Sequence, residues 1–195
     1  MIKGSEKRKA SQPVNPLFID RWSPRAMTGE AVSEQELLTM FEAARWAPSS
    51  GNLQPWRILY ARRDTEHWPT YASLLFDGNR IWGERAGALL LFVSHTLNEA
   101  TGKPSDTHCF DAGAAWQNLA LQGYLLGLGV HGIAGFHRDR ARELLKIPAQ
   151  FHLEAMVVVG RPGARDLLSE ALLARETPSD RRPLAQTVCE GVFGL

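Results

Sequence analysis

The segment Arg21-Trp22-Ser23-Pro24-Arg25 sets two guanidiniums and a hydroxyl at alternate positions. Alternate side chains of an extended backbone share a face, so Arg21, Ser23 and Arg25 can converge on one ligand, and the planar guanidinium fork suits a phosphate. Alone, this pattern also fits a solvated loop. A second polar cluster, Ala47-Pro48-Ser49-Ser50-Gly51-Asn52-Leu53-Gln54-Pro55, gathers turn formers and hydrogen-bonding side chains in one loop. Other chemistries find little support. There is no GxSxG elbow, and Ser50 has no nearby base. Cys109 follows His108, but adjacent side chains are expected to diverge rather than pair as nucleophile and base. The six histidines show no HExxH and no paired His/Cys spacing, so no metal site is expected, and His131 and His137 are expected to satisfy surface hydrogen bonds. Neither GxGxxG after a strand nor a P-loop is present.

The elements that must position these groups are readable in part. Ser33-Glu34-Gln35-Glu36 is a capping box, and Leu37, Phe41 and Ala44 then recur at helical spacing to about Trp46, where Pro48 stops the helix. Strands are expected at Trp56–Ala61, Ala88–His95 and Leu153–Gly160, with a short strand or extended loop at Val130–Phe136 and an extended stretch at Thr187–Phe193. Weaker helix signals cover 65–75, 81–85 and 139–145. Asp111–Leu126 is apolar almost all round and so reads as a buried helix, with Asp111, Asn118 and Gln122 on a narrow polar stripe. Its small residues Ala112, Ala115 and Gly123 would admit another helix closely. Gly127 ends it. Helices and strands mix without a βαβ rhythm, which favours an α+β class. Residues 1–16 read as a flexible N-terminal arm, leaving 17–195 as one domain.

In its ordered motifs the chain resembles the nitroreductase family of FMN-dependent oxidoreductases. The likeness runs through Arg21-Trp22-Ser23-Pro24-Arg25, the Ala47–Trp56 block, Asp111–Leu119, Gly127–Gly129, Gly132-Ile133-Ala134-Gly135-Phe136, Ile147-Pro148 and Arg181-Arg182-Pro183-Leu184. That resemblance implies a central, mostly antiparallel sheet flanked by helices, in a homodimer with FMN at the subunit interface and a C-terminal segment reaching the partner. Arg21 and Arg181 would bind the FMN phosphate, with Trp22 and Ser23 nearby, and Arg25 would approach the N1–C2=O edge of the ring. Pro48, Ser49, Ser50 and Asn52 would come from the partner subunit, with Gln54 bracing their loop. Gly132, Ile133, Ala134 and Gly135 would pack on the ring near N5. Trp56 and Trp116 are expected to pack in the core or interface. No catalytic side chain is required, because the hydride moves at flavin N5. Many relatives carry an acidic residue where Ala134 stands, and Asn where Gly83 precedes Glu84-Arg85.

The implied activity is a ping-pong transfer of hydride from NADH or NADPH, through FMN, to an electron-poor small molecule such as a nitroaromatic or quinone. Other flavin chemistry on the same fold, and a non-enzymatic flavin-binding dimer, are the alternatives. Composition agrees with a globular domain: 195 residues, 44% hydrophobic, with 22 Lys plus Arg against 21 Asp plus Glu for a net charge of +1. That balance argues against a nucleic-acid partner. The absence of a long apolar run argues against a membrane partner, and two cysteines suit the cytoplasm.

Overall fold

The computed structural model describes residues 2–194. Its strands are β1 (Trp56–Arg62), β2 (Ala88–His95), β3 (Gly129–Ile133) and β4 (Phe151–Gly160). They form one sheet in the order β1-β2-β4-β3, every neighbouring pair antiparallel. Helices α1 (Pro16–Asp20), α2 (Glu34–Arg45), α3 (Trp68–Ser73), α4 (Asp77–Gly83), α5 (His108–Leu125), α6 (Arg138–Leu144) and α7 (Glu170–Leu173) surround it. The α+β expectation is borne out.

Strand β2 is buried almost throughout because both its faces are covered. Leu89, Leu91 and Val93 join Tyr71 of α3, Leu74 just beyond it and Trp82 of α4 in one core cluster. Ala88, Leu90 and Phe92 face the other way, onto Leu37, Met40 and Ala44 of α2 and Ala112, Ala115 and Leu119 of α5. The strand's two-residue period thus divides one apolar run between two cores. Opposite the junction of Phe92 and Val93, strand β4 carries an extra residue: Phe92 pairs with Ala155 and Val93 with Leu153, leaving Glu154 as a β-bulge.

The capping box forms as expected, with Glu36 N–H donating to Ser33 Oγ at 3.2 Å and Ser33 N–H to Glu36 Oε2 at 2.9 Å. Helix α5 begins at His108, three residues before the expected start, because Cys109 and Phe110 face outward and extend no buried apolar stripe. Beyond its end Gly127 adopts a left-handed backbone (φ 76°), and Leu128 N–H reaches back to Gly123 O at 2.9 Å, a Schellman closure. Gly123 faces the interior: a Cβ there would meet Val130 Cγ2 at 2.4 Å. Gly113, by contrast, has open space around it. The expected helix at 81–85 lies instead at Asp77–Gly83, and Thr187–Phe193 forms exposed turns rather than a strand.

Residues expected to form the arm make specific contacts. Gly4 is buried against Ile19, Ser5 N–H donates to Asp20 Oδ1 at 3.0 Å, and Ile2 O accepts the Trp22 indole N–H at 3.0 Å. Asn15 caps α1 through Leu17 N–H at 2.9 Å. The chain end therefore lies against the segment that carries Arg21.

Candidate functional site

Arg21, Trp22, Ser23 and Arg25 line one cleft of about 400 Å³, and Arg175, Thr177, Ser179 and Arg181 enter it from the C-terminal segment. Arg21 Nη1 donates to Ser23 Oγ at 3.3 Å, so alternate spacing does bring these groups onto one face. Trp22 contributes packing, its indole N–H being engaged by Ile2. Arg8 was not foreseen. Its Nε donates to Ser179 O at 2.7 Å and its Nη1 to Ile19 O and Arg21 O, each at 2.9 Å. It thus joins three segments at the cleft. The short basic run Lys7-Arg8-Lys9 was its only trace in sequence, indistinguishable from a solvated tail.

Five guanidiniums about one cleft repel one another. Burial lowers the Arg21 pKa from its ordinary value, and the Arg8 and Arg181 charges lower it further. Burial, then Arg175, does the same to Arg25, partly opposed by Glu176. An anion would relieve this cost, because each uncompensated buried cation is penalised. Arg25 is also turned toward protein: its guanidinium stands 3.9 Å from the Glu176 carboxylate and donates to Arg175 O at 3.3 Å. Glu176, 2% exposed, accepts Arg25 N–H at 2.9 Å and Ala26 N–H at 3.0 Å.

His131 corrects an expectation. It is a half-buried wall of the cleft, its ring tilted at 43° against Trp82 with centroids 4.8 Å apart and its Nδ1 3.1 Å from Pro24 O. Burial, with the Arg25 and Arg21 charges, pushes its pKa down to about 4, so it is neutral at pH 7. A carbonyl only accepts, so Nδ1 carries the proton.

Strand β3 is an edge of the sheet, and a second hollow of about 360 Å³ opens on its α5 side. Gly132, Ile133 and Ala134 line it with Phe92, Gly113 and Trp116. Trp116 does more than pack, since its indole Nε1 is buried without a hydrogen-bond partner. The Arg21 guanidinium lies 5.9 Å above the same ring, linking hollow and cleft. A Cβ on Gly132 would press on that ring at 3.3 Å. Gly135 O accepts from Asn79 Nδ2 at 3.0 Å. Asn79, unnoticed in sequence, lies one turn before Gly83 on α4. Gly83 itself points into the core, where a Cβ would meet Leu75 Cδ1 at 2.9 Å.

The 48–54 loop is stiff and stands apart. Pro48, Ser50, Asn52 and Gln54 are exposed and Ser49 half-buried; none of them lines the arginine cleft of its own chain. Gly51, Asn52 and Gln54 all adopt positive φ (55°, 55° and 49°). The strain is held by Gln54 N–H to Ser49 Oγ (3.0 Å), Gln54 Nε2 to Asn52 O (3.2 Å) and Ser50 N–H to buried Asp111 Oδ2 (3.2 Å). Gln54 braces its loop.

One further cluster contradicts the sequence reading. Cys109 Sγ lies 3.4 Å from His108 Nδ1, so these adjacent side chains converge rather than diverge. Glu154, displaced by the bulge, joins them 3.7 Å from His108 Nδ1. Burial, reinforced by Glu154, pushes the Cys109 thiol up to about 11. A thiol so held is no nucleophile at neutral pH.

Comparison with known proteins bears on the whole arrangement. A family profile described as the nitroreductase family matches residues 19–87 and 77–161. The chain is similar to a crystal structure described as an oxidoreductase containing FMN, with 46% identity, a TM-score of 0.93 and 96% of each chain covered. It is 29% identical to the NADH dehydrogenase of Thermus thermophilus, covering 87% of this chain and 92% of that one. A nitroreductase family protein from Streptococcus pneumoniae shares the fold, with a TM-score of 0.72 over 90% of this chain and 98% of that one, at 22% identity.

Proposed function

The chain belongs to the nitroreductase family, and on that premise we propose that it is an FMN-dependent oxidoreductase passing hydride from NADH or NADPH to an electron-poor acceptor by a ping-pong route. When bound, FMN supplies a site that takes up and gives back two electrons and a proton at N5, which is why the chain needs no nucleophile of its own. The carrying observation is the arginine cleft. Arg21 and Arg181, backed by Arg8 and Ser179, hold the phosphate and trade mutual repulsion for charge-assisted hydrogen bonds. His131, neutral and protonated on Nδ1, adds an uncharged wall. The Trp116 indole N–H, buried without a partner, fits a cofactor acceptor placed between cleft and hollow. Gly132 lines the hollow without crowding Trp116, whose ring a Cβ would meet at 3.3 Å, whereas a Cβ on Gly135 would press on Asn79 and Phe76 instead.

Two chains make the complete site in this reading. The stiff loop Pro48-Ser49-Ser50-Gly51-Asn52 closes the partner's cofactor site, which accounts for a strained, well-braced loop that serves nothing in its own chain. Exposed, small Ala134 leaves the mouth of the hollow open to acceptors such as nitroaromatics or quinones. Purified protein is expected to be yellow, or to become so on FMN titration, and to bleach anaerobically with NADH or NADPH and recolour with a quinone. Protein that stays colourless with excess FMN overturns the proposal; protein that binds FMN but bleaches with neither nicotinamide leaves a flavoprotein of other chemistry.

A further inference from the structure

Glu154 and Ala155 are neighbours in β4, and an unbroken strand would send their side chains to opposite faces. Both line the hollow on the α5 side of the sheet, because the bulge makes Glu154 the extra residue and re-aims it. Fully buried Ser94 fixes the carboxylate there: its hydroxyl donates to Glu154 Oε1 and lies 2.7 Å from His108 Nδ1. Among the described residues no lysine or arginine pairs with Glu154. Its ion-pairing neighbours are imidazoles, His108 Nδ1 at 3.7 Å and His152 Nε2 at 3.9 Å. Arg138 donates at 3.1 Å to the Glu154 carbonyl, not to its carboxylate. The rest of the hollow is apolar or neutral, with Phe92, Trp116 and Ile133 in its wall and Cys109 keeping its proton. Arg21 stands over the Trp116 ring but lines the arginine cleft. Glu154 is therefore the one charged side chain that lines the hollow, and it has no permanent cation of its own.

We propose that this hollow selects flat aromatic electron acceptors that carry a cationic substituent, with Glu154 as the specificity-determining residue. The proposal rests on the flavin reading, in which acceptors enter beside Ala134, and adds the charge that they bear. A hollow of about 360 Å³ is of the size that takes a two-ring quinone or nitroaromatic. Apolar walls bury the ring, and a carboxylate set among them attracts a cation more strongly than one in open water does. An acceptor bearing a sulfonate or carboxylate meets the same group as a repulsion, so selection works by exclusion as well as attraction. Because Ser94 holds Glu154 in place beforehand, little side-chain freedom is lost when the ligand arrives. The contact is made by a substituent remote from the reacting atoms. It therefore acts on KM and leaves kcat almost unchanged.

The test uses three naphthoquinones carrying a trimethylammonium, a methyl or a sulfonate group on the same ethyl spacer, which keeps the ring potentials alike. FMN-loaded protein is expected to show KM rising in that order, by about 5–10-fold from first to last, at similar kcat. Glu154→Gln is expected to compress that spread below about 2-fold while flavin absorbance and urea stability are retained. Glu66→Gln, removing an exposed acid that lines no part of the hollow, is expected to keep it. In wild type the spread is expected to shrink as salt is added, which tests the charge even if the variant does not fold. Calorimetry with benzyltrimethylammonium, against benzenesulfonate, reads binding without turnover, and the cation is expected to bind wild type more tightly than Glu154→Gln. Equal KM values in protein that bleaches with a nicotinamide, or a spread unchanged in folded Glu154→Gln, overturn this proposal and leave the flavin reading standing. Protein that stays colourless with FMN yet binds the cation through Glu154 removes the flavin reading and keeps the site; colourless protein that binds neither removes both.

Discussion

At the scale of single residues the site is governed by where charge is buried. His131 has its pKa pushed down to about 4, whereas an unfolded chain titrates it near 6.5. Between those values the unfolded state binds a proton that the folded state refuses, so this contribution is complete above pH 6.5 and is lost as pH falls toward 4. The loss amounts to about 3 kcal/mol at most. Urea midpoints of cofactor-free wild type are expected to drop across that window, and those of His131→Gln to drop less; equal slopes would remove the linkage. Arg21→Ala is expected to weaken FMN binding by about 1.5–3 kcal/mol, measured by fluorescence titration. Trp116→Phe separates two effects of one N–H. Without cofactor it removes a donor that has no partner, at little net cost. With cofactor it is expected to raise the FMN dissociation constant about 2–12-fold. Equal affinity would assign that N–H no ligand. None of these couplings was legible in sequence. Alternate spacing revealed Arg21, Ser23 and Arg25, but Arg8, Asn79 and His131 reach the site through tertiary neighbours that leave no local pattern.

Elements with their own chemical punctuation could be read directly: the Ser33–Glu36 box opened α2, and Gly127 closed α5. Where a boundary depends on tertiary contact, reading slipped. Helix α5 begins in a turn whose Cys109 and Phe110 face outward, and α4 is set by Phe76, whose N–H joins Gly135 O at 3.4 Å across the chain. The bulge at Glu154 was likewise invisible, since an extra residue in a pairing is a property of two strands. The C-terminal segment shows the cost of such contacts. It is tied down by buried Glu176, whose carboxylate accepts the Arg25 and Ala26 backbone N–H groups. Glu176→Ala leaves those donors without a partner, and we expect a loss of about 2–4 kcal/mol in urea unfolding. Faster tryptic cleavage at Arg175 and Arg181 should accompany it, because the segment that delivers Arg181 is released. Unchanged cleavage would place the tether elsewhere.

For the molecule as a whole, the decisive surface is the outer face of α5. Phe110 is 82% exposed and Leu125 63%, and Gly113 lies between them with nothing within 4 Å of a Cβ. Gly113 also edges the hollow beside Trp116, but the chain covers neither Phe110 nor Leu125, and a Gly inside a helix costs about 1 kcal/mol against Ala. The cost is recovered if a second α5 approaches closely there, as in small-residue helix contacts. Among the described residues no helix is long and apolar enough to cross a membrane. Pairing through α5 would also bring each Asp111-braced loop toward the other chain. The two features therefore predict one linked outcome. Phe110→Arg, which sets a charge on the face that a second α5 would cover, is expected to yield monomers by light scattering and to lose FMN in the same sample, although residue 110 lines neither the arginine cleft nor the hollow. Monomers that hold FMN as tightly as wild type would show that each chain binds its cofactor alone and that the 48–54 loop serves some other end.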